Sequence, residues 1–559
     1  MLRLLSTKSS LDVLKQDAKR WLHALRTGNS ESQHRLLTAW PAAPSTPTLR
    51  DVQHALAREY GLADWTSLTA ALRDLALDRQ SHAERVEAVL RHGWDGDVVT
   101  AQRIAVRYPE VCRDNLFTAA SCGDLDEVRR WLTINPALAN AVGGSLAWTA
   151  LAYVAYSRID AQHAARIAQL LMNAGADPNF QFDDGWGNPF TPLTGAIGRG
   201  EGVKPPHPKA LDLVDLFLAS GANPFDTQAL YNTSIVDDDI TWTALLWAHC
   251  PADGRAARWS LVDGPALGGK YKVGTLNYLL GNAVGQNHLA RARWLLEHGA
   301  DATTRHAYTG EAVHTMARLS GFRAMAALLA RHGAHAVTLS GQRAFLAVLM
   351  SGSEVEIRTH VADNPSLVQS PAPLLHAAER GRAELVALLL ALGAPVNGTD
   401  HEGISPLHQA VHADSVDTIN VLLAGGADVD VRERKWRSTP MGWACVLGKS
   451  DAAERLAPLS RDPRALAASA RVSRLAVVLR DDAALANHRL AGHDTPTPLF
   501  CLPDDEEAAA EVTRVLLEHG ADPRVTDPRG RTATEVARMK GLDEAADAMS
   551  AAESRTAVP

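Results

Sequence analysis

The chain has 559 residues, 46% of them hydrophobic and 21% charged, with a formal net charge of −8. That length exceeds what one core usually serves, so several domains or an elongated array of units are expected. So small a charge gives no bulk attraction to nucleic acid or anionic membrane. Five scattered cysteines without a CxxC pair suit a reduced, cytoplasmic setting. No window approaches the roughly 18–20 apolar residues of a membrane span. The start, MLRLLSTKSSLDVLKQDAKRW, turns amphipathic at once and does not read as a secretory signal. Arginine far outnumbers lysine and alanine is abundant, which suggests a GC-rich bacterial genome.

Residues 1–80 hold two helical stretches, LDVLKQDAKRWLHAL and TLRDVQHALAREYGLADWTSLTAAL, joined by the proline-rich WPAAPSTPT. Their mixed helical faces predict a small bundle packed on the units that follow. Residues 81–112 contain AERVEAVLRHGWDGDVVTAQRIAVRYPEV, which reads as a degenerate helical pair. Beyond it the chain is repetitive: 113–274 as irregular units with insertions, 275–551 as a more regular array, and 552–559 as a flexible tail.

The unit is clearest in GISPLHQAVHADSVDTINVLLAGGADVDV, Gly403 to Val431. Ser405 can cap a helix and Pro406 suits its first position. Leu407, Ala410 and Val411 share one side of that helix, and Ala413-Asp414-Ser415 breaks it. A second helix follows with Val416, Ile419, Leu422 and Leu423 on one face, ended by Gly425-Gly426. Two helices this short cannot bury their apolar faces alone. Relatives of the closing LLAGGADVDV recur with marker glycines at Gly175, Gly221, Gly299, Gly333, Gly393 and Gly520. The Ser/Thr-Pro start recurs at Thr191, Thr439 and Thr497. Leu116–Asn140, Ala344–Gln369 and Ala465–Asn487 keep the hairpin but end in an NP or DD turn.

A period near 33, a Thr/Ser-Pro-Leu-His start and a Gly-Ala-Asp finish resemble the ankyrin repeat. Ser405, Pro406, Leu407, His408, Ala410, Leu422, Leu423, Gly426, Ala427 and Asp428 match that pattern residue by residue. The resemblance spans roughly 113–551. It implies an all-α fold: an ankyrin-type helical solenoid of about twelve units, several degenerate, with an N-terminal helical cap. The second N-terminal stretch resembles a leader found ahead of ankyrin arrays in bacterial proteins. His408 is implied to stabilise the turn by hydrogen bonding. The family also implies a non-catalytic scaffold, monomeric and without cofactor, that binds a protein partner on the concave face made by finger loops and first helices. The contact residues expected in or near those loops are Asp184, Trp186, Arg305, Tyr308, His401, Arg434, Trp436 and Arg529.

The sequence offers little for catalysis. No HExxH, GxSxG or Walker pattern occurs. His488, His493 and Asp494 lack a fourth metal ligand. Asp237-Asp238-Asp239 and Asp504-Asp505-Glu506-Glu507 lack calcium-loop spacing. Cys122 and Cys250 need a histidine brought close, and His249 is adjacent to Cys250 only in sequence. The run RERKWR, Arg432–Arg437, suits an acidic peptide or phosphate partner. A nucleic-acid site would repeat such charge along the array, and the neighbouring loops do not. Insertions make 179–274 the least regular section, either a partner-binding surface or solvated loops. A second reading, an enzyme or toxin-like effector, places its site there or in the N-terminal helices. Among tryptophans, Trp186, Trp259 and Trp436 are loop candidates for partner contact, whereas Trp148, Trp242, Trp294 and Trp443 are expected to pack between units.

Overall fold

Side-chain capping opens the hairpins at Thr191, Ser405 and Thr439 as the sequence predicts, whereas Thr497 makes no capping bond. In the computed structural model, Ser405 Oγ accepts the His408 amide and Pro406 begins the helix Pro406–His412. The His408 ring is buried and closes the turn. Its Nε2 donates to the carbonyl of Ser438 in the next hairpin (3.1 Å), which leaves Nδ1 to accept from Ser405 (2.9 Å to Oγ). Asp414 then takes a left-handed conformation (φ +55°) between the helices, where other hairpins use Gly381, Gly448 or Ala470. Ser415 caps the second helix, Val416–Ala424. Gly426 (φ +85°) ends it, with the Ala427 amide bonded back to the Leu422 carbonyl. Leu407, Ala410, Val411, Ile419 and Leu422 are buried, so both helices turn apolar faces inward.

The structure describes residues 3–5, 11–94, 97–183, 189–200, 204–261, 270–489 and 496–555. Its described elements are almost all helical, with two-residue strands pairing Val142–Gly143 with Trp148–Thr149 and Phe182–Asp183 with Pro189–Phe190. The chain forms two compact units: Met1–Ala317 with Ala324–His335, and Arg318–Arg323 with Ala336–Pro559.

The first unit begins with four helices where the sequence suggests two stretches. The first stretch forms Leu11–Arg26, a further helix Ser30–Ala39 follows it after Gly28-Asn29, and the Gly61–Asp64 turn divides the second stretch into Leu49–Glu59 and Trp65–Arg79. Asn29 and Asp64 each cap the new helix through a side-chain oxygen. Leu14, Trp21, Leu56 and Leu68 form a separate small core. Ion pairs from Asp74 to Arg103 and from Asp78 to Arg107 join it to the helical pair His82–His92 and Val98–Arg107. Stacked hairpins follow. The second unit is a run of hairpins sharing one core from Phe345 to Met549.

Successive hairpins are tied by one side chain. Asn397 donates to the Gly426 carbonyl (3.2 Å) and accepts the Asp428 amide (2.7 Å) of the next hairpin. Asn487 does the same with Gly520 and Asp522, Asn140 with Gly175 and Asp177, and Asn179 with Gly221 and Asn223. The degenerate copies that end in NPALAN and DDAALAN therefore keep the link through their last residue. One period after Asn397, Asp430 takes the place. A carboxylate only accepts, and it faces a hairpin that offers two donors, the Ser460 hydroxyl and the Arg461 amide.

Two consequences are measurable. Asn397→Ala removes both inter-hairpin bonds and is expected to cost about 1–2 kcal/mol in urea unfolding of the full chain; an unchanged midpoint would show that the apolar contacts alone set the register. Acid sensitivity should follow from His207 in the first unit, which burial pushes down to about 3. Neutral in the fold, it protonates near pH 6.5 when unfolded, so the unfolded chain binds more protons and stability falls as pH drops through that value. The loss should reach about 0.8 kcal/mol by pH 6 for this residue alone. Burial lowers His408 in the same direction. A midpoint that holds constant from pH 7.5 to 6 contradicts this.

Candidate interaction surface

Loop chemistry in the second unit begins with acidic residues turned inward. Asp400 accepts the amides of Glu402 and Ile404 (both 2.9 Å), which folds the turn around Gly403 (φ +81°) and puts His401 at its tip. Thirty-three positions later Glu433, only 2% exposed, accepts the amides of Lys435 (2.7 Å), Trp436 (3.0 Å) and Ser438 (2.9 Å). Asp527 repeats the arrangement with the amides of Arg529 and Arg531 and pairs with the Arg531 guanidinium. These concave rows of backbone N–H groups would suit an external anion, but each holds its own carboxylate. The loops are thereby fixed in shape, and the side chains between the braced amides point outward.

Two expected contact residues come together here. The Arg434 amide donates to the Glu402 carbonyl (2.7 Å) and its guanidinium to the His401 carbonyl (3.0 Å), so the two loops are joined at their tips. The His401 side chain is 89% exposed. Trp436, 53% exposed, carries Lys435 Nζ 4.3 Å from its ring centroid and meets Trp443 edge-on at 6.3 Å. Trp443 in turn lies 5.0 Å from His408 and 6.5 Å from His412. Aromatic rings thus run from the loop onto the first helices Pro406–His412 and Pro440–Val446. Arg432 turns away from solvent toward Asp462 (3.3 Å). Arg434, Lys435 and Arg437 are exposed, and none forms an ion pair with a described residue.

The other expected residues stand elsewhere. Arg529 is exposed on its own, separate finger loop of the second unit. Arg305 and Tyr308 lie in the first unit and brace their loop: Arg305 donates to the Gly310 carbonyl, and the Tyr308 hydroxyl is 3.0 Å from that of Tyr278. Asp184 and Trp186 fall outside the described residues. The strands flanking them place Phe182 in a stack with Trp148 (4.4 Å), so Trp148 packs as expected.

The insertions in 179–274 hold fewer free groups than the sequence suggests. Residues expected to be irregular form the helices Thr227–Ser234 and Arg255–Ser260. The aspartate triplet is engaged internally. Asp238 caps the helix Leu289–Glu297 through the amides of Ala290 and Arg291, and the buried Arg291 guanidinium donates to the carbonyls of Asp237 and Asp239. Arg199 pairs with Asp237 and Asp239. Trp259, read as a loop residue available to a partner, is fully buried, because its helix turns the indole inward to donate to Cys250 Sγ (3.2 Å). His249 bonds through Nδ1 to the Leu245 carbonyl and not to that thiol. A cleft of about 200 Å³ lined by Asn179, Phe225 and Arg258 has Asp226 at its floor, whose carboxylate takes Thr191 Oγ1 (2.5 Å), Thr194 Oγ1 and the Ala229 amide. Burial still raises that carboxyl above the usual range.

His493 and Asp494 of the weighed metal cluster lie outside the described residues. Among the described residues no group of three or more His, Cys, Asp or Glu is placed to hold a metal ion, and no helix is long and apolar enough to cross a membrane. The braces Asp400, Glu433 and Asp527 did not enter the sequence reading. The signal for the first two was an acidic residue recurring 33 positions on, hidden because Glu433 sits inside a run that reads as purely basic.

Comparison with known proteins bears on this array. Residues 334–433 and 374–467 match the family model described as ankyrin repeats in three copies. Over 199 residues the chain is 26% identical to YahD of Escherichia coli (strain K12), a protein named for ankyrin repeats; the match takes in 34% of this chain and 98% of that one. A solved structure described as the predatory endopeptidase Bd0816 from Bdellovibrio bacteriovorus in complex with immunity protein Bd3460 aligns over 32% of this chain and 96% of its own, at 23% identity and a TM-score of 0.25. So loose a likeness has no bearing on function.

Glu433→Ala should cost about 1.5–3 kcal/mol and speed hydrogen exchange at the amides of Lys435, Trp436 and Ser438, with Glu433→Gln between it and the parent chain. Unchanged exchange at those three amides would contradict the brace.

Proposed function

The chain is an ankyrin-repeat protein, and from that premise we propose that it acts as a non-catalytic interaction scaffold, taking a protein partner on the side where finger loops and first helices of a unit meet. Ankyrin repeats are interaction modules and typically lack enzymatic activity. The observation that supports this reading best is the pair of loops around His401, Arg434 and Trp436. A carboxylate turned inward, half-buried Asp400 in one and buried Glu433 in the other, fixes each backbone, so little freedom is lost when a partner arrives. The side chains they expose, Arg and Trp, are the types that dominate binding energy at interfaces. Arg529 belongs to the same proposed side of the second unit, and Arg305 and Tyr308 to a corresponding loop of the first. Asp184 and Trp186 remain part of the proposal by sequence.

An enzyme or toxin-like effector active in 179–274 has less support. The Asp226 carboxylate is buried among internal donors, Asp238 accepts two backbone amides, Asp237 and Asp239 pair with Arg199, and Cys250 faces an indole. Fold alone does not decide activity, but these described groups are engaged within the protein.

The test is capture from native lysate with the full chain, followed by quantification of each specific partner against Arg434→Ala, Trp436→Ala and the double variant. Trp436→Ala is expected to weaken capture about tenfold or more, as truncating a central aromatic anchor does. If every partner is retained by the double variant at parent level, this surface is not the binding side.

A further inference from the structure

Resting on the scaffold reading, we propose that the Trp436 loop and the first helices beside it dock an acidic, extended peptide segment bearing an apolar side chain. Charge supports this first. The chain holds 64 acidic against 56 basic residues, yet Arg434, Lys435 and Arg437 form an exposed positive run with no ion pair to a described residue. Several other exposed arginines of this unit are matched: Arg358 with Glu354, Arg382 with Glu384, Arg461 with Asp481 and Arg514 with Glu511; Arg480, Arg489 and Arg529 also lack an ion pair with a described residue, but they do not adjoin one another in a run. Glu433, the one acid in the run, turns both oxygens to backbone amides and leaves the three cations to the outside. Such a patch favours carboxylates, which form charge-assisted hydrogen bonds with guanidinium and ammonium groups.

An apolar surface continues from the charge. Trp436 leads to Trp443 on the helix Pro440–Val446, whose end exposes Val446 (86%) and Leu447 (44%). A segment with carboxylates over the loop and an apolar side chain on these rings would meet both. Geometry makes the loop ready for it, since the amides that could rearrange are held by Glu433 and by the Arg434–Glu402 bond. Arg437 is held at φ +54°, a conformation that asparagine tolerates better, so Arg437→Asn deletes a charge without straining the turn.

Fluorescence anisotropy on the full chain tests the proposal with three labelled heptapeptides: Glu-Asp-Phe-Glu-Asp-Leu-Glu, all-Glu, and Lys-Lys-Phe-Lys-Lys-Leu-Lys. The first should bind at least tenfold more tightly than either of the others. Arg434→Gln with Lys435→Gln should weaken it by about tenfold, Trp436→Ala by a similar factor, and Arg437→Asn by a few-fold, all with unchanged melting temperature. Arg358→Gln, on the outer helix Glu354–Asp363, should not alter it. Raising salt should weaken binding, because the cations are exposed. Equal binding of the all-Glu peptide, or of a 20-nucleotide single-stranded DNA, would reduce the patch to a general anion attractor and overturn the proposal. So would no binding, or affinity unmoved by the paired charge removal. If the peptide arm fails while Trp436→Ala still loses partners from lysate, the acidic-peptide chemistry falls and the scaffold reading stands. Failure of both removes the surface from either role.

Discussion

A two-helix hairpin of this length has an apolar face it cannot bury, and every other feature of the protein depends on how the next hairpin covers it. Apolar contact alone sets distance more firmly than register, because hydrophobic burial is non-directional. The side-chain amide of Asn397 adds direction: its donor meets a carbonyl freed at a helix end, and its acceptor meets an amide two residues on. Repeated at Asn140, Asn179 and Asn487, the same bridge makes each hairpin position the one after it. Stability in such arrays is a sum of intrinsic and nearest-neighbour terms. A weakened bridge therefore acts locally.

Register in turn determines where the loops stand. Once hairpins are aligned, successive finger loops lie side by side, close enough for the Arg434 backbone and guanidinium to reach two carbonyls of the preceding loop. Buried carboxylates then fix each loop from within. This division of labour explains why a run rich in arginine is rigid. Its acid is inside, satisfied by amides, and its cations are outside and available. The same logic weakens the aspartate triplet at 237–239 as a site, since Asp237 and Asp239 pair with Arg199 and Asp238 accepts the amides of Ala290 and Arg291.

Much of the fold was legible because the unit repeats. Ser405, Pro406 and Gly426 announce a start and a stop by mechanisms that need no tertiary context, and His408 took the hydrogen-bonding role its resemblance implied. The splitting of the second N-terminal stretch could also be read locally, from Gly61–Asp64, although the longer periodicity masked it. What could not be read was which polar residues face inward. Trp259 looks like a loop residue until a one-and-a-half-turn helix buries it. Glu433 looks like one charge among many, and its burial depends on a loop path set by the neighbouring hairpin. Arg305 and Tyr308 make contacts within their own loop and to Tyr278, which a sequence does not reveal.

Hydrogen–deuterium exchange of the full chain, alone and saturated with a partner captured from native lysate, tests the central claim most directly. The account predicts new protection in the second unit confined to the amides of 401–404, 434–438 and 443–447, where the braced loops and the first helices meet. Protection centred instead on the outer helices Val416–Ala424 and Ser450–Leu456, with those loops unchanged, would contradict it.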